Sequence, residues 1–231
     1  SFDLGKTWKF ISNQPITQIY KAAVDNSFPA YKMIGGTQDN GTIEGPARTF
    51  NQHGIRDQDG TVPYGADGYD TAADPEDPNI IYVSWQMGHP LRMDHRTGEL
   101  VEIQPQPGPD DPPERFNWDA PILISPHSAN RLYYGSQRVW RSEDRGDSWV
   151  PVSGDLTRGD LRYDLPGAGR GQSIDALWGN SAMSWYATLT SITESPLVEG
   201  LLYTGSDDGV IQVSEDGGDS WRRAALPNDV P

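Results

Sequence analysis

The chain has no cysteine among its 231 residues. Disulfides, thiolate zinc sites and cysteine nucleophiles are therefore excluded. No apolar run approaches membrane-spanning length, and no signal peptide is visible in the sequence. Positive charge is scarce. Eighteen Lys and Arg stand against 33 Asp and Glu, a formal net charge of −15 with no basic run. Nucleic acid and anionic membrane both need a positive footprint, so neither is expected as a partner. The four histidines, His53, His89, His95 and His127, show no metal-ligand spacing. Asp57-Gln58-Asp59-Gly60 begins like a calcium loop but lacks the later ligands. The expectation is no metal and no cofactor. Phosphate-binding glycine loops and serine nucleophile elbows are also missing.

What the chain does contain is turn residues and aromatics: 25 Gly, 19 Pro, 8 Trp and 10 Tyr. That composition suits many short strands. It also contains a repeat. Ser1-Phe2-Asp3-Leu4-Gly5-Lys6-Thr7-Trp8, Ser142 to Trp149 and Ser214 to Trp221 all spell Ser-x-Asp-x-Gly-x-[Ser/Thr]-Trp. The expected structural positions of this box are Ser1, Asp3, Gly5 and Trp8; Ser142, Asp144, Gly146 and Trp149; and Ser214, Asp216, Gly218 and Trp221. The glycine permits positive φ in a tight turn, the Asp and Ser side chains accept backbone N–H bonds across it, and the Trp opens the next strand as an apolar plate.

A second repeat precedes the boxes. Asp74-Pro75, Ser125-Pro126 and Ser195-Pro196 are each followed, after four residues, by a mostly apolar pair and a tyrosine (Tyr82, Tyr133, Tyr203). The unit reads strand, Pro turn, strand, hairpin, strand, box, strand: a four-stranded antiparallel blade. Its prolines are spaced by 51 and 70 residues, which places an insertion across Leu156 to Asn180. Met93 to Leu100 reads as a degenerate box that keeps its Asp and Gly. Further upstream, Trp8–Ile11, Ile16–Val24 and Tyr31–Thr37 read as strands, with a hairpin at Asp39-Asn40-Gly41 leading into Thr42–Glu44. Gly45 to Asp70 reads as a long connection, and Gln104 to Glu114 as a Pro-rich connector between blades. The expected architecture is all-β. A single partial β-propeller covers 1–231, with a remnant strand over about 1–12 and about four blades. The start within a box suggests a piece of a larger propeller, whose remaining blades would be its partners.

The Ser-x-Asp-x-Gly-x-x-Trp repeat resembles the Asp-box, or BNR repeat, of sialidases, xyloglucanase-type glycosidases and sortilin-type receptors. Gly36 to Gly41, Arg115 to His127 and Tyr203 to Gly209 resemble bacterial sortilin-like propeller proteins that often carry a glycosyl hydrolase label. The resemblance implies a secreted, periplasmic or outer-surface bacterial scaffold for a peptide, protein or glycan. The alternative it implies is a glycoside hydrolase with paired carboxylates.

For that chemistry the carboxylates outside the boxes are Asp39, Asp57, Asp59, Asp67, Asp70 and Asp119. Asp57, Asp67 and Asp119 are the catalytic candidates: the first two lie in the 45–70 connection, where loops often carry sites, and the third adjoins Trp118. Asp39, Trp118 and Asp119 are the ligand-binding candidates, an aromatic plate beside a carboxylate being a common lining for a sugar. A sialidase would need three converging arginines, and nothing in the sequence brings Arg48, Arg56, Arg92, Arg115, Arg138 or Arg170 together. The xyloglucanase-type catalytic motifs are not recognisable in it.

Overall fold

The computed structural model describes residues 3–9, 17–159, 166–167, 170–171 and 185–225. It contains four four-stranded antiparallel sheets arranged as propeller blades. Blade 1 is β1 (Ile19–Val24), β2 (Lys32–Thr37), β3 (Gly41–Pro46) and β4 (Thr61–Tyr64). Blade 2 is β5 (Thr71–Ala73), β6 (Ile80–Trp85), β7 (His89–Asp94) and β8 (Glu99–Glu102). Blade 3 is β9 (Ile122–Ile124), β10 (Leu132–Gly135), β11 (Val139–Ser142) and β12 (Val150–Pro151). A two-stranded pair, β13 (Pro166–Gly167) with β14 (Arg170–Gly171), lies within the predicted insertion. Blade 4 is β15 (Leu189–Glu194), β16 (Leu202–Ser206), β17 (Ile211–Ser214) and β18 (Arg222–Arg223). The first strands touch in sequence, β1 to β5 to β9 to β15, and so form the inner rim.

The blades share one register. Met33 pairs with Val24, Ile81 with Ala73, Leu132 with Ile124 and Leu202 with Glu194. Blade 1 thus carries the repeat anchor as well, at Asp25, where no proline marks it. Each anchor takes the backbone N–H of the residue two positions on, from Ser27, Glu76, His127 and Leu197. These are Asx and Ser turns that satisfy the chain as it reverses. Alternation along the second strands then assigns the faces. Ile34, Tyr82 and Tyr133 point to the following blade. Ile81, Leu132 and Leu202 point to the preceding one, and all six are at most 1% exposed. The core is the three seams between blades: Ile34 with Ile81 and Val83, Tyr82 with Leu132 and Tyr134, and Tyr133 with Leu189 and Leu202.

The boxes bind the seams. Ser142 Oγ accepts the Gly146 N–H at 2.8 Å, and Asp144 accepts both the backbone N–H and the hydroxyl of Ser148 at 2.8 and 2.6 Å. The same bonds recur from Gly218 to Ser214 at 2.8 Å and from Ser220 to Asp216. In the first box Asp3 likewise accepts both groups of Thr7; Ser1 lies outside the described residues. Gly146 and Gly218 have φ of +93° and +104°. A Cβ on either would lie 2.7 Å from Ile103 or 2.8 Å from Val152, residues of the preceding blade. The box Trp reaches the same two residues: Trp149 Nε1 donates to the Ile103 carbonyl at 2.7 Å, and Trp221 Nε1 to the Val152 carbonyl at 2.9 Å. In return, Arg92 donates to the Arg145 carbonyl and Arg141 to the Gly217 carbonyl, at 2.8 and 3.0 Å. The turn is thus a joint between blades as well as a hairpin.

Three readings change. Residues 45–70 are not a single connection: β4 lies within them and completes blade 1, hidden from pattern reading by its shortness and by Pro63. The Met93–Leu100 turn keeps none of the box positions in register. Met93, opposite Ile81, stands where Ser142 and Ser214 stand, so His95 takes the place of the box Asp. Asp94 instead pairs with Glu99 across a tight hairpin and accepts the Arg96 N–H at 2.8 Å. Of the remnant strand, residues 3–9 are described and form the box turn, with Trp8 82% exposed; residues 10–12 and Ile16 lie outside the described set.

Replacing Trp149 or Trp221 by Phe keeps the apolar plate and removes the bond between blades. Each should cost about 1 kcal/mol, or a Tm lower by roughly 2–4 °C, in thermal unfolding. The hydroxyl and N–H bonds from Ser220 hold the Asp216 carboxyl at about 2. Its folded pKa is depressed, so its contribution is present above the unfolded value and is lost as pH falls through the folded one. Denaturant melts between pH 5 and 2 should show stability falling over this window, with a shallower fall in Asp216→Ala.

Candidate functional site

Charge concentrates on the inner rim where blades 1, 2 and 3 meet. Lys21 lies on β1, Asp70 immediately before β5 and Asp119 three residues before β9. Lys21 Nζ is 3.2 Å from Asp70 Oδ2 and 3.3 Å from Asp119 Oδ2. Two oxygens held by one ammonium at these distances are no more than about 6.5 Å apart. Asp70 also accepts the Ile122 N–H from blade 3 at 3.2 Å and its neighbour's N–H, from Thr71, at 3.0 Å. The second oxygen of Asp119, Oδ1, is buried and has no hydrogen-bond partner. Gln86 Oε1 and Tyr134 Oη are likewise buried and unpartnered. Gln86 precedes Met87, whose N–H meets the Trp118 carbonyl at 3.4 Å.

The electrostatics follow from this geometry. Burial lifts the Asp70 carboxyl above its ordinary value, and Asp119 adds to the lift, while Lys21 and the Ile122 N–H oppose it. For Lys21 burial works against the charge, but Asp70 and then Asp119 outweigh it and hold the ammonium above the usual lysine value. Burial, reinforced by Asp70 and Asp119, pushes the Tyr134 phenol well up, so it stays protonated. Tyr69 is pushed up by burial and by its bonds to Tyr20 and Asp67.

Aromatic rings border the cluster but face one another. Tyr20 stacks on Tyr69 at 4.6 Å between centroids, and Trp118 meets Tyr69 edge-on at 6.0 Å. Tyr69 is 2% exposed, so it supports the site from behind.

The structure brings together only some of the expected residues. Trp118 and Asp119 are at the cluster. Asp67 is buried beside it, where Oδ1 accepts the Asp39 N–H and Oδ2 the Tyr69 hydroxyl, a pin for the β2–β3 turn. Asp39 is exposed at that turn with φ of +59°. Asp57 stands apart, in a 3-10 turn (Asp57–Asp59) on the outer part of blade 1, and Asp59 there accepts the Arg56 N–H at 2.8 Å. His89 meets Glu102 at 2.7 Å, His95 lies 3.0 Å from Glu44, and His127 meets the Ser195 carbonyl at 2.8 Å. Among the described residues no group of three or more His, Asp and Glu could hold a metal ion. Lys21, Tyr20 and Tyr134 were not singled out by sequence. Register shows what would have found the first: Lys21 and Asp70 each stand four residues before an anchor, Asp25 and Asp74, so they are one repeat position with opposite charges on adjacent blades.

No family model matches the chain, and no curated protein matches it. Among solved structures it is similar to the GH74 xyloglucanase from Xanthomonas campestris, at 13% identity and a TM-score of 0.49, over 81% of this chain and 26% of that one. It is also similar to the GH74 enzyme of Niastella koreensis, at 12% identity and a TM-score of 0.48, over 92% of this chain and 30% of that one. The chain therefore spans between a quarter and a third of the length of those enzymes.

Lys21→Met should leave two carboxylates facing each other without their counter-charge. Because the lysine side chain is 35% exposed, the expected loss at pH 7 is discounted to about 1–2 kcal/mol. In the variant Asp70 titrates higher still, so its stability is fully present below the ordinary carboxylate pKa and falls as pH rises through the folded value. Urea melts of both proteins between pH 4 and 7 should converge at the acid end; a constant difference across the range would show that the lysine acts only by packing.

Proposed function

We propose that the chain is a ligand-binding β-propeller scaffold of the Asp-box, sortilin-like type. Its peptide, protein or glycan ligand docks at the inner rim through hydrogen-bond donors. One observation carries this reading: Asp119 Oδ1, buried and unpartnered, in a cluster whose other carboxylate oxygens are engaged. A buried acceptor without a donor costs about 1–3 kcal/mol, and a ligand N–H or O–H recovers it. Such a scaffold belongs to the periplasm or the outside of a bacterial cell.

A second reading, a glycoside hydrolase, rests on Asp70 and Asp119 both reaching one ammonium, which keeps two of their oxygens within about 6.5 Å of each other. Retaining glycosidases hold their carboxyls about 5–5.5 Å apart, and the upward-shifted Asp70 resembles a general acid. Against it stands Lys21, whose ammonium occupies the gap that a sugar ring needs. The ring faces of Tyr20 and Tyr69 are also turned to each other.

The two readings part experimentally with Asp119→Asn. Binding to peptide and glycan arrays should weaken roughly tenfold with folding intact, as one charge-assisted bond of about 1.4 kcal/mol would give. Neither the chain nor the variant should release sugar from xyloglucan or other β-glucans. Hydrolysis abolished by Asp119→Asn or Asp70→Asn would replace the scaffold with the enzyme.

A further inference from the structure

An ammonium already sits at the inner rim, and it belongs to the chain itself. Lys21 Nζ lies between Asp70 Oδ2 and Asp119 Oδ2, at 3.2 and 3.3 Å. The two carboxylates come from different blades, and backbone as well as lysine holds the first of them: Asp70 accepts the N–H groups of Thr71 and Ile122 at 3.0 and 3.2 Å. The pair is thus a cation site with a resident cation.

That resident fits incompletely. Asp119 Oδ1 has no partner, and neither have Gln86 Oε1 and the Tyr134 hydroxyl. Tyr134 is fully buried, and near enough to both carboxylates for their charge to act on its phenol. The Lys21 side chain is 35% exposed, and a lysine stem is flexible enough to carry its head out into water. One ammonium offsets only one of two carboxylate charges, in a chain whose net charge of −15 draws cations from a distance.

We propose that the rim takes the guanidinium of an arginine side chain on a peptide, and that Lys21 is a tethered competitor that leaves as the arginine enters. The proposal rests on the rim being the ligand site. A guanidinium is a planar fork of five N–H donors. It meets both oxygens of Asp119 at once and still turns an N–H toward Asp70. An ammonium concentrates three donors at one point, and here it leaves Oδ1 unmet. The Asp119 side chain is 32% exposed, and its carboxylate turns about the Cβ–Cγ bond over a broad range, which brings Oδ1 to the incoming fork. One cation enters as one departs, so the charge of the cluster is unchanged. The competition also sets affinity: a competitor seated about nine-tenths of the time weakens apparent binding about tenfold.

The test is calorimetric titration of the whole chain at pH 7 and low salt. The probes are a capped tripeptide with arginine between two alanines and its citrulline analogue, which keeps the shape and lacks the charge. The arginine peptide should bind at least about tenfold more tightly than the citrulline peptide, with the difference shrinking as salt screens it. Lys21→Met removes the competitor and should raise affinity for the arginine peptide about tenfold; Lys21→Gln is the second variant should the apolar one fail to fold. Asp119→Asn should abolish the preference for arginine. Unchanged or weaker binding in both Lys21 variants would overturn the proposal, as would a lysine analogue that binds as tightly as arginine. Array ligands that respond to Asp119→Asn while arginine and citrulline bind alike would remove the guanidinium and keep the rim site. No response of any ligand to Asp119→Asn would remove both.

Discussion

The bond on which the fold most depends runs from a tryptophan to a carbonyl on the blade before it. Trp149 to Ile103 and Trp221 to Val152 fix where one sheet sits on the next. The residues around each bond serve it. The box glycine has no Cβ because the neighbouring blade occupies that space, and the serine and aspartate hold the turn that aims the indole. A hairpin alone would not require the Trp or the close approach of another sheet. The motif is therefore a device for stacking sheets, and its spacing in sequence follows from the size of a blade.

The charged cluster draws on the same periodicity. A propeller brings the same repeat position of successive blades side by side at the rim. Opposite charges placed there meet without any further design: Lys21 and Asp70 are such a pair, and Asp119 joins them from the next blade. One ammonium offsets one of the two carboxylate charges, which lowers the cost of burying them. Asp119 Oδ1 and Gln86 Oε1 remain buried there without a partner.

The blades, their strand order and the turn chemistry were legible because three boxes and three Pro anchors repeat within one chain. What escaped had lost its marks. The anchor of blade 1 is Asp25 without a proline, the fourth strand of that blade is four residues broken by Pro63, and the turn at Met93 had changed every box residue. The site was half legible. Trp118 and Asp119 stood out as an aromatic beside a carboxylate, but Lys21 lies in an ordinary alternating strand, and only register reveals that it faces Asp70. Asp67 accepts the Asp39 N–H and pins a turn, and a carboxylate that accepts backbone N–H groups has the same sequence signature as one that awaits a ligand.

The seam between blades 1 and 2 is built differently from the other two. The turn of blade 2 has Leu100 where the boxes have tryptophan, so no indole reaches back to blade 1 there. Apolar contact around Ile34, the Lys21–Asp70 ion pair, the His95–Glu44 contact and the bond from Asn26 to the Pro75 carbonyl span that seam. In an array of units coupled only to their neighbours, motion gathers at the joint with the fewest directional bonds. That joint is where the rim cluster sits. Swinging blade 1 as a hinge would draw the ammonium away from its carboxylates, so the angle between two blades and the pairing of the rim charges form a single mechanical variable.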